Sequence, residues 1–184
     1  MALDPTILKM LQQSGVSTDW PAPEEPQPLA VKPSRMDLAP RSRAIVADEL
    51  NKLSITLIDL RLKARQAHWN IRGKDFYQLH QLFDDIQGFL DEFSDRLAER
   101  IAGLGGYATA CVHCIAKHSP LEAMRETHQD SELVVAIANG LALLSSQSRH
   151  VSSICDCDVV TENIVCDLAE GADKYLWQLE ATNE

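Results

Sequence analysis

Five side chains within residues 68–99 have the types and the spacing of metal ligands. They are two imidazoles and three carboxylates: His68, His80, Asp84, Asp95 and Glu99. Imidazole nitrogens combined with carboxylate oxygens suit iron, manganese or zinc, and the richness in carboxylates favours Fe(II) over a thiolate-type zinc site. Whether one ion can bind all five depends on the helix that carries most of them.

One predicted helix places the last four ligands on one broad face. At 100° per residue their azimuths are about 0°, 40°, 60° and 100°. Members of each i, i+4 pair can reach one ion, but about 16 Å of helix separates Asp84 from Asp95. His68 ends the preceding helix and can fold back across a turn at Gly73. The chain therefore carries two half-sites, and a two-fold axis would set each half against its complement in a neighbouring copy.

The sequence after residue 43 predicts four long helices and no strands. Apolar residues recur three and four positions apart over residues 46–67, 79–104, 133–154 and 160–179, which is typical of amphipathic helices around a core. The connection at about residues 105–130 is too long for a tight bundle loop. It must cross the bundle, and we expect a short helix in its "SPLEAMRETH" segment. Four helices with one long crossover give the ferritin-like topology.

A proline-rich arm precedes the bundle. Seven of the eight prolines lie at or before Pro40, so we predict a largely extended arm over residues 1–43, with a short helix in "PTILKMLQQSG", and a bundle over residues 44–184. Two interpretations of the arm are open. It is either a structureless extension or a segment that docks on a neighbouring subunit or carries an auxiliary metal site.

Composition excludes several classes of function. With 27 acidic and 17 basic side chains the formal net charge is -10, which repels nucleic acid and attracts cations. No run approaches 18 apolar residues, so no membrane span is expected, and the N-terminus lacks the layout of a signal peptide. Five cysteines fit a reducing cytoplasm better than a disulfide framework.

The stretch "ARQAHWNIRGKDFYQLHQLFDDIQGFLDEFSDRLAERIAGLGG" closely resembles the Dps family, the mini-ferritins called DNA-binding proteins from starved cells. The resemblance runs from about residue 44 to the end and recurs in "DKYLWQLE". It implies a four-helix subunit, a hollow shell of twelve subunits, and ferroxidase sites at two-fold interfaces. It also implies oxidation of Fe(II), usually by hydrogen peroxide in preference to oxygen, and storage of the ferric mineral.

The resemblance assigns the five ligands to two subunits. His68, His80 and Asp84 match ligands given by one subunit, and Asp95 and Glu99 match those given by its partner. Trp69 lies next to a ligand and has two interpretations, either core packing or an electron donor that protects the site.

Further acidic residues have weaker assignments. The resemblance puts Asp156, Asp158 and Glu162 near a carboxylate-lined three-fold pore, although Asp158 is equally suited to cap a helix. Asp85 and Glu92 are candidates for mineral nucleation in the cavity or for ordinary solvated positions.

The segment "CVHCIAKH" departs from the family pattern. Its candidate metal ligands are Cys111, His113, Cys114 and His118, although a C-x-x-C alone is a weak zinc signal. The other three cysteines, which we expect to be buried or incidental, are Cys155, Cys157 and Cys166.

Two other functions compete with an iron-storage cage. A protein that mainly compacts the chromosome is the first, but the charge-neutral tail has no lysine cluster, so we expect weak or absent DNA binding. A monomeric di-iron oxygenase is the second, but that class uses paired Glu-x-x-His motifs, and the sequence has none.

Overall fold

The computed structural model describes residues 31–155 and 158–182, and these form five helices. In chain order they are α1 (Pro40–Asn70), α2 (Phe76–Gly103), α3 (Val112–His118), α4 (Asp130–Ile154) and α5 (Val159–Glu180). The four long helices are those predicted, and α3 lies in the long connection between α2 and α4. In the described part of the chain the only β-type pairing is an isolated parallel bridge between Arg72 and Gln129. The structure is therefore the all-α bundle that the sequence predicts.

The core lies between two packed helix pairs. α1 packs mainly on α2, α4 packs mainly on α5, and further contacts join α1 to α4 and α2 to α5. The predicted stripe of α1 is buried along its whole length, from Val46 at 4% exposure to Ala67 at 0%. Phe83, Leu90 and Leu97 extend the same core along α2. Each fully buried side chain of this size contributes about 1.5–3 kcal/mol through the hydrophobic effect.

The short helix of the crossover lies earlier than expected. It spans Val112–His118, and the segment "SPLEAMRETH" that follows contains no helix, so that expectation is wrong. Pro120 explains why α3 ends at His118, because a proline disfavours helical backbone at the residue before it. Ser119 is accordingly extended, with φ -63° and ψ 130°, and ends α3.

The residues before α1 contact the bundle. α1 begins at Pro40, where a proline at the first turn is favourable because its missing N–H would have no helical partner. The guanidinium of Arg43 is buried and donates to the carbonyl oxygens of Lys32 and Leu104, at 3.0 and 2.8 Å. The N–H of Lys32 donates to the oxygen of Gly105 at 2.9 Å. The helix expected in "PTILKMLQQSG" lies outside the described residues.

Within the described ranges, no helix has both the length and the apolar character needed to cross a membrane.

Candidate metal centre

The turn between α1 and α2 brings His68 against His80. The N–H of Ile71 donates to Ala67 O at 2.9 Å and ends α1. Gly73 follows with φ +127°, a conformation that side chains with a Cβ rarely adopt. The N–H of Phe76 then donates to Gly73 O at 3.3 Å and begins α2. The chain thus reverses within five residues, as the sequence predicted.

The two histidines are held by a reciprocal pair of hydrogen bonds. His68 Nδ1 lies 2.9 Å from His80 O, and His80 Nδ1 lies 2.9 Å from His68 O. A carbonyl oxygen only accepts, so each Nδ1 must carry the proton. Each ring then presents Nε2 with its lone pair, which is the form that binds a metal ion. This contact fixes the tautomer and the orientation of both rings.

Aromatic packing further limits the motion of the rings. The centroids of His68 and His80 are 3.8 Å apart, with 22° between the planes. Phe76 stacks on His80, with the ring centroids 5.0 Å apart. The side chain of His68 is only 14% exposed, so most of this ring is protected from water, while His80 is half-buried. Sequence reasoning missed Phe76, although its position four residues before His80 was a usable signal.

Asp84, the third predicted ligand of this half-site, lies near the protonated Nδ1 of His68. Its Oδ1 lies 3.9 Å from His68 Nδ1, and its side chain is 51% exposed. Arg65, which the sequence analysis also missed, places Nη1 3.8 Å from the same oxygen. His68, His80 and Asp84 are therefore together on one end of the subunit, where Arg65 neutralises part of the carboxylate charge.

Asp95 and Glu99 lie farther along α2 and are exposed. Asp95 lines a groove of about 510 Å³ between α1, α2 and the start of the crossover, together with Ser54, Ile58 and Arg61. Nothing in the described part of the subunit brings these two carboxylates to the histidine pair. Over residues 31–155 and 158–182, no three His, Cys, Asp or Glu side chains come close enough together to hold an ion.

Trp69 lies on the surface of the subunit. It is 71% exposed, so packing in the core of its own chain is the wrong interpretation. The guanidinium carbon of Arg65 lies 6.0 Å from its ring centroid, at the limit of a cation–π contact. An exposed indole beside a ligand is compatible with electron donation, which stays a prediction.

Asp158 caps the N-terminus of α5, which is one of the two roles predicted for it. It is 6% exposed and accepts hydrogen bonds from Arg100 Nη2 at 2.6 and 2.7 Å and from the N–H of Thr161 at 3.2 Å. Burial raises the pKa of this carboxyl, but the hydrogen bonds from Arg100 and Thr161 outweigh it, so the pKa lies below its ordinary value. Asp158 is thus engaged inside its own subunit.

The other acidic candidates remain predictions. Asp156 lies outside the described residues, and Glu162 is half-buried in the first turn of α5. Asp85 and Glu92 are exposed. Burial raises the pKa of Tyr175, and the negative charge of Asp85 raises it further, so Asp85 lies near the phenol of Tyr175.

The cysteines divide between surface and core. Cys111 and Cys166 are exposed, Cys114 is half-buried and Cys155 is buried, while Cys157 lies outside the described residues. Cys155 is buried, as one of the two expected positions required. Cys166 is not buried, which leaves the incidental position for it.

The fold and the histidine pair point to a class of protein: a ferritin-like bundle with imidazole and carboxylate side chains as candidate ligands at a helix surface. A family model described as "Ferritin-like domain" matches residues 47–183. The DNA protection during starvation protein 1 of Deinococcus radiodurans is 33% identical over 139 residues, covering 74% of this chain and 67% of that protein. The DNA protection during starvation protein of Agrobacterium fabrum is 29% identical over 156 residues, covering 80% of this chain and 93% of that protein.

Solved structures show the same fold. The Dps protein from Vibrio cholerae O1, described as a member of a broad superfamily of ferritin-like diiron-carboxylate proteins, aligns with a TM-score of 0.79 at 24% identity, covering 86% of this chain and 100% of that one. Mycobacterium smegmatis Dps aligns with a TM-score of 0.78 at 24% identity, covering 82% and 94%. The chain belongs to the ferritin-like family and, within it, to the DNA protection during starvation (Dps) proteins.

Proposed function

We propose that this protein oxidises Fe(II) at sites shared between two-fold-related subunits and stores the ferric product in a hollow dodecamer. Membership of the ferritin-like family supports iron binding and storage, and membership of the Dps family supports a protective role in the cytoplasm. We propose iron as the substrate rather than the zinc or manganese that the same ligand types allow.

The observation that carries the proposal is the reciprocal hydrogen bonding of His68 and His80. Each imidazole is held by a hydrogen bond from its own Nδ1. The Nε2 atoms of both rings are therefore left available to a metal ion. Asp84 adds a carboxylate near His68, with its Oδ1 3.9 Å from His68 Nδ1. Such preparation lowers the entropy cost of binding an ion.

Two Fe(II) ions held near one another would allow hydrogen peroxide to accept two electrons in one event. Each iron gives one electron, the O–O bond breaks, and two protons complete two water molecules, so no hydroxyl radical is released. Within this scheme the protein's own groups bind and orient the metal, with Asp95 and Glu99 of the partner supplying most of the negative charge. Hydrogen peroxide is proposed as the favoured oxidant, with oxygen as the slower one.

The test is complementation in mixed oligomers. His68→Ala and Asp95→Ala are each expected to abolish rapid Fe(II) oxidation, measured by stopped-flow absorbance with peroxide. After dissociation and reassembly at equal amounts, half of the two-fold dimers are mixed. Each mixed dimer has one intact composite site of two, so about one quarter of the wild-type rate should return.

A second mixture distinguishes sites shared between chains from sites within one chain. The double variant mixed equally with wild type is expected to keep about one quarter of the rate if sites are shared, because no mixed dimer has an intact site. Sites within one chain would instead give no recovery in the first mixture and about one half in the second. That pair of results would overturn the proposal of shared sites.

A further inference from the structure

Two cysteines stand one helical turn apart at the start of α3, outside the metal centre. Cys111 immediately precedes the helix and is exposed, while Cys114 lies in its first turn and is half-buried. α3 buries only Ile115, so the rest of this short helix lies on the surface of the subunit. The role of this pair does not depend on iron.

The backbone between the two cysteines gives a Cα separation that a disulfide can span. Because peptide bonds are planar, the distance between their Cα atoms depends on the dihedral angles of Val112 and His113, which are helical. Helical geometry gives about 5 Å, within the roughly 4.4–6.8 Å range of disulfides. The N–H of Ile115 donates to Cys111 O at 3.0 Å and fixes this turn. The two thiols are close enough for Cys111 to raise the pKa of Cys114.

The two thiols differ in their acidity. Hydrogen bonds from the backbone N–H groups of Cys114 and His113 lower the pKa of Cys111. Burial raises the pKa of Cys114, and the neighbouring Cys111 raises it further. Although the chain has 27 acidic residues, none lies in residues 100–121, so the local sequence does not oppose a thiolate. An exposed thiolate beside a protonated thiol is the arrangement found in redox-active pairs.

We propose that Cys111 and Cys114 form a redox-active dithiol that hydrogen peroxide oxidises to a disulfide within one chain. The Cys111 thiolate attacks one peroxide oxygen, the O–O bond breaks, and the departing hydroxide takes a proton to become water. Cys114 sulfur then attacks the resulting sulfenic acid. The S–S bond forms, the S–O bond breaks, and the hydroxide leaves with the thiol proton of Cys114 as a second water. A dithiol reductant returns the pair to its starting state by exchange.

The experiment follows the thiols of the full-length, assembled protein without iron. The reduced protein is treated with hydrogen peroxide in the presence of a metal chelator at pH 7, quenched with an alkylating agent, and mapped by peptide mass spectrometry. We expect one peptide to contain both residues 111 and 114, to have lost two hydrogens, and to regain both thiols after reduction. The pair is expected to react about tenfold faster than Cys166, the exposed cysteine that serves as the internal control.

Substitutions separate the two roles. Cys114→Ser is expected to stop at a sulfenic acid on Cys111 that a dimedone probe labels, whereas Cys111→Ser should slow oxidation at residue 114 by about tenfold or more. Cys166→Ser should react as wild type does. Size exclusion and circular dichroism would confirm that each variant is assembled and folded.

Three outcomes would overturn the proposal. One is equal oxidation rates at Cys111 and Cys166, which would indicate unselective surface chemistry. The second is overoxidation of both cysteines without a disulfide between them. The third is a disulfide-linked dimer on a non-reducing gel, which would assign the bond to two chains rather than one. The variant Asp95→Ala should still form the disulfide, so failure of the iron proposal would not be mistaken for failure of this one.

Discussion

Changing Asp158 to Asn is expected to destabilise the subunit by about 3 kcal/mol, because it leaves the charge of Arg100 buried without a counter-charge. The Arg100 side chain is 12% exposed and that of Asp158 is 6% exposed, so water cannot replace the lost contact. Asn still caps a helix well. The expected cost is therefore the low end of the roughly 3–5 kcal/mol typical when one partner of a buried ion pair is removed.

Asp158→Ala removes the cap as well as the charge. Loss of a capping side chain costs about 1 kcal/mol, which brings the total to about 4 kcal/mol. For a chain of this size each kcal/mol lowers Tm by roughly 2–4 °C. The Asn variant is thus expected to melt about 6–12 °C below wild type, and the Ala variant about 8–16 °C below it.

The stability lost in Asp158→Asn is expected to decrease at acidic pH. The pKa of Asp158 is lowered in the folded state from its ordinary 3.8. A lowered carboxyl pKa stabilises the fold above the unfolded-state pKa, and this stabilisation is lost as pH falls through the folded-state pKa. The difference between wild type and Asp158→Asn should therefore be constant near neutral pH and should shrink below about pH 4.

The measurement is thermal unfolding of assembled protein by circular dichroism between pH 3 and pH 8. Asp167→Asn is the matched control, because Asp167 and Arg96 join the same two helices at 2.9 Å but are 56% and 35% exposed. An exposed pair contributes about 0–1 kcal/mol. Equal losses of stability for Asp158→Asn and Asp167→Asn would refute the assignment of Arg100 and Asp158 as a buried pair.

Three further predictions concern the turn, the half-site and nucleic acid. Gly73→Ala is expected to cost about 1–3 kcal/mol, since φ is +127° there, and to slow Fe(II) oxidation; an unchanged Tm and rate would contradict the role of this turn in positioning His68. Arg65→Ala removes a cation 3.8 Å from Asp84 and should tighten anaerobic Fe(II) binding by up to about fivefold, given the screening of exposed pairs; calorimetry showing weaker binding would contradict this. Because the net charge is -10, the assembled protein should leave DNA unshifted in a low-salt gel at pH 7, and compact retarded complexes would show the opposite.

The amino-acid sequence by itself determined the helices and the spacing of the candidate ligands. Apolar residues three and four apart require a buried face, so the four long helices α1, α2, α4 and α5 could all be predicted. The rise of a helix fixed the separation of Asp84 from Asp95 without any coordinates. Glycine after His68 likewise indicated the turn, because few other residues adopt its backbone conformation.

Tertiary structure decided the contacts that the local pattern does not encode. Pro120 ends α3 at His118, but the local pattern did not show that the helix-forming residues after it would lack a helix. Asp158 had two possible roles until Arg100, 58 residues away in the sequence, was found against it. The tautomers of His68 and His80 depend on each other's backbone oxygen across a chain reversal, and hydrogen-bond partners of this kind are set only when two helices pack.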